Sequence, residues 1–195
     1  LVPFCPESRL SGVEIPPANV TVMSYYKAFI LPEGFDQGRV MLHFGAVDSC
    51  AKIHLNGHLV GSHMGGYEAF SLDITDYLEK ENLLEVECED MLFNHILPYG
   101  KQRKKRGGMW YTPVSGIWQT VWLESVRAEL IEGLKITPDM TGADIEIFGC
   151  EGFEKTVLCD GKEYTFTENS IRIEPDEAHL WSVDDPYLYD FTVKT

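Results

Sequence analysis

Polar and apolar residues alternate along much of this chain with a period of two, the spacing of a half-buried β-strand. Leu84-Glu85-Val86-Glu87-Cys88-Glu89 sets three apolar residues on one face against three glutamates on the other. Lys52-Ile53-His54-Leu55 runs the same way into Asn56-Gly57, a pair that accepts the two positive φ angles of a type I′ hairpin turn. Ile117, Gln119, Val121 and Leu123 share one face of a Trp-rich segment, with Trp118, Thr120 and Trp122 on the other. Near the end, Tyr187, Tyr189, Phe191 and Val193 alternate with Leu188, Asp190, Thr192 and Lys194. No helix-length window holds apolar residues at helical spacing. Only Leu72–Leu78 admits a short helical turn, with Asp73 or Thr75 as its cap. Turn signals at Pro32-Glu33-Gly34, Gly65-Gly66, Gly107-Gly108 and Asp160-Gly161 punctuate the strands.

Many short strands without helices predict an all-β chain of sandwich or jelly-roll type. The Trp-rich strand ends near Ser125–Arg127, which divides the chain into residues 1–125 and 126–195. The second part carries about six strand candidates, the density of an immunoglobulin-like sandwich. Gly65-Gly66 predicts a close backbone approach, with Tyr67 and Phe70 burying large area beside it.

The 195 residues suffice for one large or two modest cores. A net charge of −15 repels phosphate backbones, so nucleic acid is not an expected partner. Lys101-Gln102-Arg103-Lys104-Lys105-Arg106 is a local exception and reads as a solvated loop. Cys5, Cys50, Cys88, Cys150 and Cys159 are odd in number and lack paired spacing, which argues against zinc and against a disulfide framework. They favour a reducing, cytoplasmic setting over a secreted one. The histidines match no metal-ligand pattern, and phosphate-binding loops are absent, so no cofactor is expected. No apolar run has the length of a membrane-spanning helix. The first residue is Leu1 rather than methionine, as in a chain trimmed from something longer. Asn19-Val20-Thr21 is a glycosylation sequon that matters only in a secreted eukaryotic setting.

Four blocks, in order, resemble the N-terminal sugar-binding jelly roll of glycoside hydrolase family 2, the β-galactosidase, β-glucuronidase and β-mannosidase group. They are Tyr25–Pro32, Val40–Asp48 continuing through Ala51–Gly57, Gly61–Phe70 with Asp73-Ile74-Thr75, and Gly107–Glu124. Leu180-Trp181-Ser182 and Pro186-Tyr187-Leu188-Tyr189 are similar to a signature near the end of that family's immunoglobulin-like domain. The resemblance implies a galactose-binding-like jelly roll followed by an immunoglobulin-like sandwich, the latter lacking its closing edge strand.

The resemblance also implies a function. The parent enzyme would be a retaining β-glycosidase of the β-galactosidase or β-glucuronidase type, acting in carbohydrate metabolism through two glutamates on a (β/α)₈ (TIM) barrel. The family's acid/base glutamate follows an asparagine, and none of the five asparagines here precedes a glutamate. No catalytic residue is therefore expected in this chain. Its expected role is to support the barrel in cis, line one wall of the sugar site and help build a homo-oligomer.

Asp90 matches a family aspartate that reaches the bound sugar from a strand end, and is expected to project from the sheet rim. Gly100-Lys101-Gln102 resembles a loop facing the active site, and Trp110 and Tyr111 are candidates for stacking on a sugar ring. The loop Glu89–Pro98 is more apolar than its family counterpart. Two other readings stay open: an autonomous carbohydrate-binding module, signalled by a platform of exposed aromatics, and a purely structural sandwich pair.

Overall fold

The computed structural model describes residues 1–16, 21–91 and 96–195. Asn19 and Val20 of the sequon, and Leu92–His95 of the apolar loop, lie outside the described residues. The chain divides into two compact units, Leu1–Val126 and Arg127–Thr195.

The first unit contains β1 (Thr21–Phe29), β2 (Arg39–Phe44), β3 (Val47–Asp48), β4 (Cys50–Leu55), β5 (His58–Met64), β6 (Phe70–Asp73), β7 (Asn82–Asp90), β8 (Gly116–Ile117) and β9 (Val121–Val126). Antiparallel pairing gives a four-stranded sheet, β1-β7-β4-β5, a three-stranded sheet, β6-β2-β9, and the short pair β3-β8. One core joins both larger sheets: Val40, Leu42 and Phe44 from β2 meet Ile53 and Leu55 from β4 and Leu84, Val86 and Cys88 from β7. The predicted alternation places these inward, while Lys52, Glu87 and Glu89 point out. Asn56 and Gly57 both take positive φ and close the β4–β5 hairpin, as a type I′ turn requires. The expected helical turn is a 3₁₀ segment at Thr75–Tyr77, where the Asp73 carboxylate accepts from the Thr75 amide at 3.0 Å.

The second unit holds β10 (Gly133–Pro138), β11 (Ala143–Phe148), β12 (Lys155–Cys159), β13 (Lys162–Phe166), β14 (Ser170–Ile173) and β15 (Phe191–Lys194). They form two three-stranded antiparallel sheets, β10-β11-β14 and β13-β12-β15. Ile145, Ile147, Val157 and Ile173 fill the space between them, with Tyr164, Phe191 and Val193 packed at its margin. Both units are thus β-sandwiches.

Three local expectations need correction. The Trp-rich segment is not one strand: β8 pairs with β3, β9 pairs with β2, and residues 118–120 step between the two ladders. Gln119 is consequently exposed rather than inward. Tyr67 is half exposed, and only Phe70 packs, stacking on Phe44 at 4.8 Å. The C-terminal strand begins at Phe191, so Tyr187 and Tyr189 lie before it.

Candidate functional site

At one end of the first sandwich, three strand ends converge. Asp48 closes β3 and lies opposite Gly116 of β8, while Cys50 at the start of β4 lies opposite Glu89 near the end of β7. On β7 the inward parity of Leu84, Val86 and Cys88 continues to Asp90, which is only 4% exposed. Asp90 therefore does not project from the rim. It turns into the sandwich end, because a residue two positions beyond Cys88 points the same way.

Asp48, Ser49, Gln102 and Ser115 are also buried there, and Glu7 reaches in from the N-terminal segment. Ser115 and Ser49 stand beside the Asp90 carboxylate, and the Gln102 amide beside that of Asp48. Ser115 donates its hydroxyl to Glu7 Oε1 at 2.6 Å and its amide to Oε2 at 3.2 Å. Gln102 accepts from the Val114 amide at 2.6 Å and lies 3.4 Å from the Tyr67 hydroxyl. Gly66 backs the cluster: a Cβ there would stand 2.4 Å from Asp48 Oδ1. Its carbonyl accepts the Trp118 indole N–H at 2.8 Å.

Three carboxylates in so small a volume resist ionising together. Burial, reinforced by the neighbouring Asp90 charge, pushes Asp48 up to about 7 despite the Gln102 hydrogen bond. Asp90 is also raised, first by burial and then by Glu7, against the lowering effect of Ser115 and Ser49. The Cys88 thiol, which donates to the Asp48 carbonyl at 3.0 Å, is pushed up to about 12 by burial and the two aspartates. The result is a partly protonated acid–amide–hydroxyl network, able both to donate to and to accept from hydroxyl groups.

Of the sequence-predicted residues, Asp90 and Gln102 fall in this buried cluster. Lys101, Trp110 and Tyr111 stand outside it on the exposed loop that Gln102 anchors. Tyr111 donates its amide to the Lys101 carbonyl at 2.9 Å, and Arg103 lies over the Trp110 ring at 4.5 Å. Glu7, Asp48, Ser49 and Ser115 were missed by sequence reasoning. Asp48-Ser49 did carry a signal, a polar pair inside the otherwise apolar run Ala46–Ala51. Glu7 and Ser115, 108 positions apart, had none. Among the described residues, no group of three or more His, Cys, Asp or Glu side chains is arranged to hold a metal ion.

Residues 9–125 match the model of the family described as glycosyl hydrolases family 2, sugar binding domain. The chain belongs to glycosyl hydrolase family 2. Its family 2 relatives include a β-galactosidase of Thermoanaerobacter pseudethanolicus, 29% identical over 96% of this chain and 30% of the relative. A β-glucuronidase of Paenibacillus borealis is 28% identical over 87% of this chain and 32% of its own length. Among solved structures, a β-glucuronidase of Faecalibacterium prausnitzii aligns with a TM-score of 0.59 at 25% identity, covering 89% of this chain and 35% of that one. The chain thus spans about a third of the length of these relatives.

Proposed function

We propose that this chain is the non-catalytic N-terminal part of a retaining β-glycosidase of the β-galactosidase or β-glucuronidase type. The family match over residues 9–125 carries the reading, since it covers the sugar-binding domain while relatives extend to about three times this length. In this reading a barrel in cis supplies the two catalytic carboxylates. Asp48, Asp90 and Glu7 are poor substitutes, because a retaining pair must flank an accessible glycosidic bond about 5–5.5 Å apart. Here the two aspartates are sealed in a hydrogen-bonded cluster.

The cluster's role is to fix the rim that faces the sugar. Gln102 and Ser115 hold the loop between Gly100 and Gly116 in place, and that loop presents Lys101, Trp110 and Tyr111. Buried as it is, Asp90 acts through the cluster that steadies the rim and not by meeting the sugar itself. The exposed Tyr111 and Trp110 favour, as a second reading, a carbohydrate-binding module that acts by itself.

Hydrolysis of nitrophenyl β-galactoside and β-glucuronide by the purified chain tests the main reading. No release above buffer is expected. Turnover that tracks with the chain through successive chromatographic steps would overturn it. In the protein encoded by the whole reading frame, Asp90→Asn is expected to lower kcat/KM by roughly tenfold through displacement of the rim that its cluster holds in place.

A further inference from the structure

In the second unit, at the end where β10 turns into β11 and β12 into β13, both sheets line a cavity of about 690 Å³. Its floor is apolar: Ile136, Ile145 and Ile173 come from one sheet, Tyr164 and Phe191 from the other. Residues 174–190, between β14 and β15, form no strand and supply a further wall, to which Trp181, Tyr187 and Tyr189 contribute.

That wall is held in place by its own contacts. The Ser182 amide donates to the Asp185 carbonyl at 2.9 Å, and the Asp185 amide to the Ser182 hydroxyl at 3.0 Å. His179 Nε2 lies 2.6 Å from the Asp185 carboxylate, and the His179 amide donates to the Tyr189 hydroxyl at 2.6 Å. The His179 ring stacks on Tyr187 at 4.1 Å, and Tyr189 meets Tyr187 edge-on at 5.1 Å. Rings fixed in this way lose little freedom when a ligand arrives.

The charge around the cavity is one-sided. Asp139, Asp160, Asp176 and Glu177 line it together with Lys162, which pairs with Asp176. Asp160 sits at the tip of the β12–β13 hairpin, where it and Gly161 both take positive φ, so the backbone fixes its place. Its charge is the first cause that raises the Tyr187 phenol, and it adds to burial in raising the Cys159 thiol. A carboxylate therefore stands beside an aromatic ring at an apolar cavity. Ring faces carry partial negative charge, so rings and carboxylate act in the same sense on a ligand.

We propose that this cavity binds an organic cation with an apolar body, of the aryl-alkylammonium class. The ammonium group sits by Asp160 and the Tyr187 ring, and the apolar body fills the space over Ile136, Ile145 and Phe191. A neutral molecule of the same shape gains from the floor alone, and an anion is repelled by the lining.

Calorimetric titration of the 195-residue chain with benzyltrimethylammonium, benzyl alcohol and phenylacetate tests this. The cation is expected to bind at least about tenfold tighter than either of the others, and more weakly as salt is raised. Asp160→Asn, which tolerates the positive φ of the turn, should lose roughly tenfold of that affinity, and Tyr187→Leu several-fold. The protein from the whole reading frame should bind the cation as tightly as the 195-residue chain does. Failure of the cation to bind, equal binding of the alcohol, tighter binding of phenylacetate or unchanged binding by Asp160→Asn would each overturn the proposal. So would loss of binding in the longer protein, since another of its segments would then fill the cavity.

Discussion

Asp48 shows how a single residue couples packing to pH. Its carboxyl titrates near 7 in the folded chain, against about 3.9 for a solvated aspartate. Between those values the folded state binds more protons than the unfolded one, so this group's contribution to stability falls as pH rises from about 4 to 7 and then levels off. Asp48→Asn mimics the protonated form and removes that slope. The variant should be more stable than the parent at pH 8, by on the order of 1–2 kcal/mol, with little difference at pH 4.5. Urea titrations of both proteins at the two pH values check this, and parallel pH profiles would refute it. Gly66 makes the complementary case: with a Cβ 2.4 Å from the Asp48 carboxylate, Gly66→Ala should destabilise by about 1–3 kcal/mol. A thermal melt unchanged by the substitution would mean the carboxylate has room to move. At this scale the sequence was only half legible. Asp90 and Gln102 were found through a family pattern, but period-two parity already turned Asp90 inward, and extending the β7 alternation one step would have shown it. Glu7 and Ser115 meet across 108 residues, and nothing local in either segment encodes that meeting.

Strands were the most readable level, because one half-buried sheet face imposes a rule on every second residue. β4 obeys it from Lys52 to Leu55 and β7 from Leu84 to Glu89, and Ile53 and Leu55 are fully buried as the alternation required. Leu55→Ala should therefore cost roughly 2–5 kcal/mol in chemical denaturation. A near-neutral result would mean that neighbouring core side chains collapse into the space. The Trp-rich segment was misread for a reason that also operates at this scale. Parity holds within β8 and within β9, but the chain changes partner between them, and alternation cannot be carried across such a step. The crossing is packed tightly: the Gly45 amide donates to the Thr120 carbonyl at 2.9 Å, and a Cβ at Gly45 would stand 2.7 Å from that of Gln119. A glycine followed by Ala46-Val47 carries no signal that distinguishes this crossing from an ordinary turn.

At the scale of the whole chain, the two units differ in how much apolar surface holds them together. Among the described residues, the core cluster of Leu1–Val126 contains twelve buried apolar residues, against five for Arg127–Thr195, which makes the second unit the weaker candidate for cooperative stability. A unit of its size buries only about 60% of the surface that its unfolded chain exposes, whereas a domain twice as long buries more. Lys155 adds to the contrast: its amino group is buried in the smaller unit, held by the Phe153 and Thr167 carbonyls at 3.0 Å each, where an apolar side chain would otherwise fill the core. Urea should accordingly unfold the second unit first. The tryptophans report the units separately, since Trp110, Trp118 and Trp122 lie in the first and Trp181 in the second. In Trp181→Phe, fluorescence should show a single transition, at the higher urea midpoint. A variant keeping only Trp181, with the other three replaced by Phe, should show the lower one, and residues 1–126 alone should reproduce the higher. Coincident midpoints in the two tryptophan variants would show that the units unfold together, and the difference in core size would then not govern the order of unfolding.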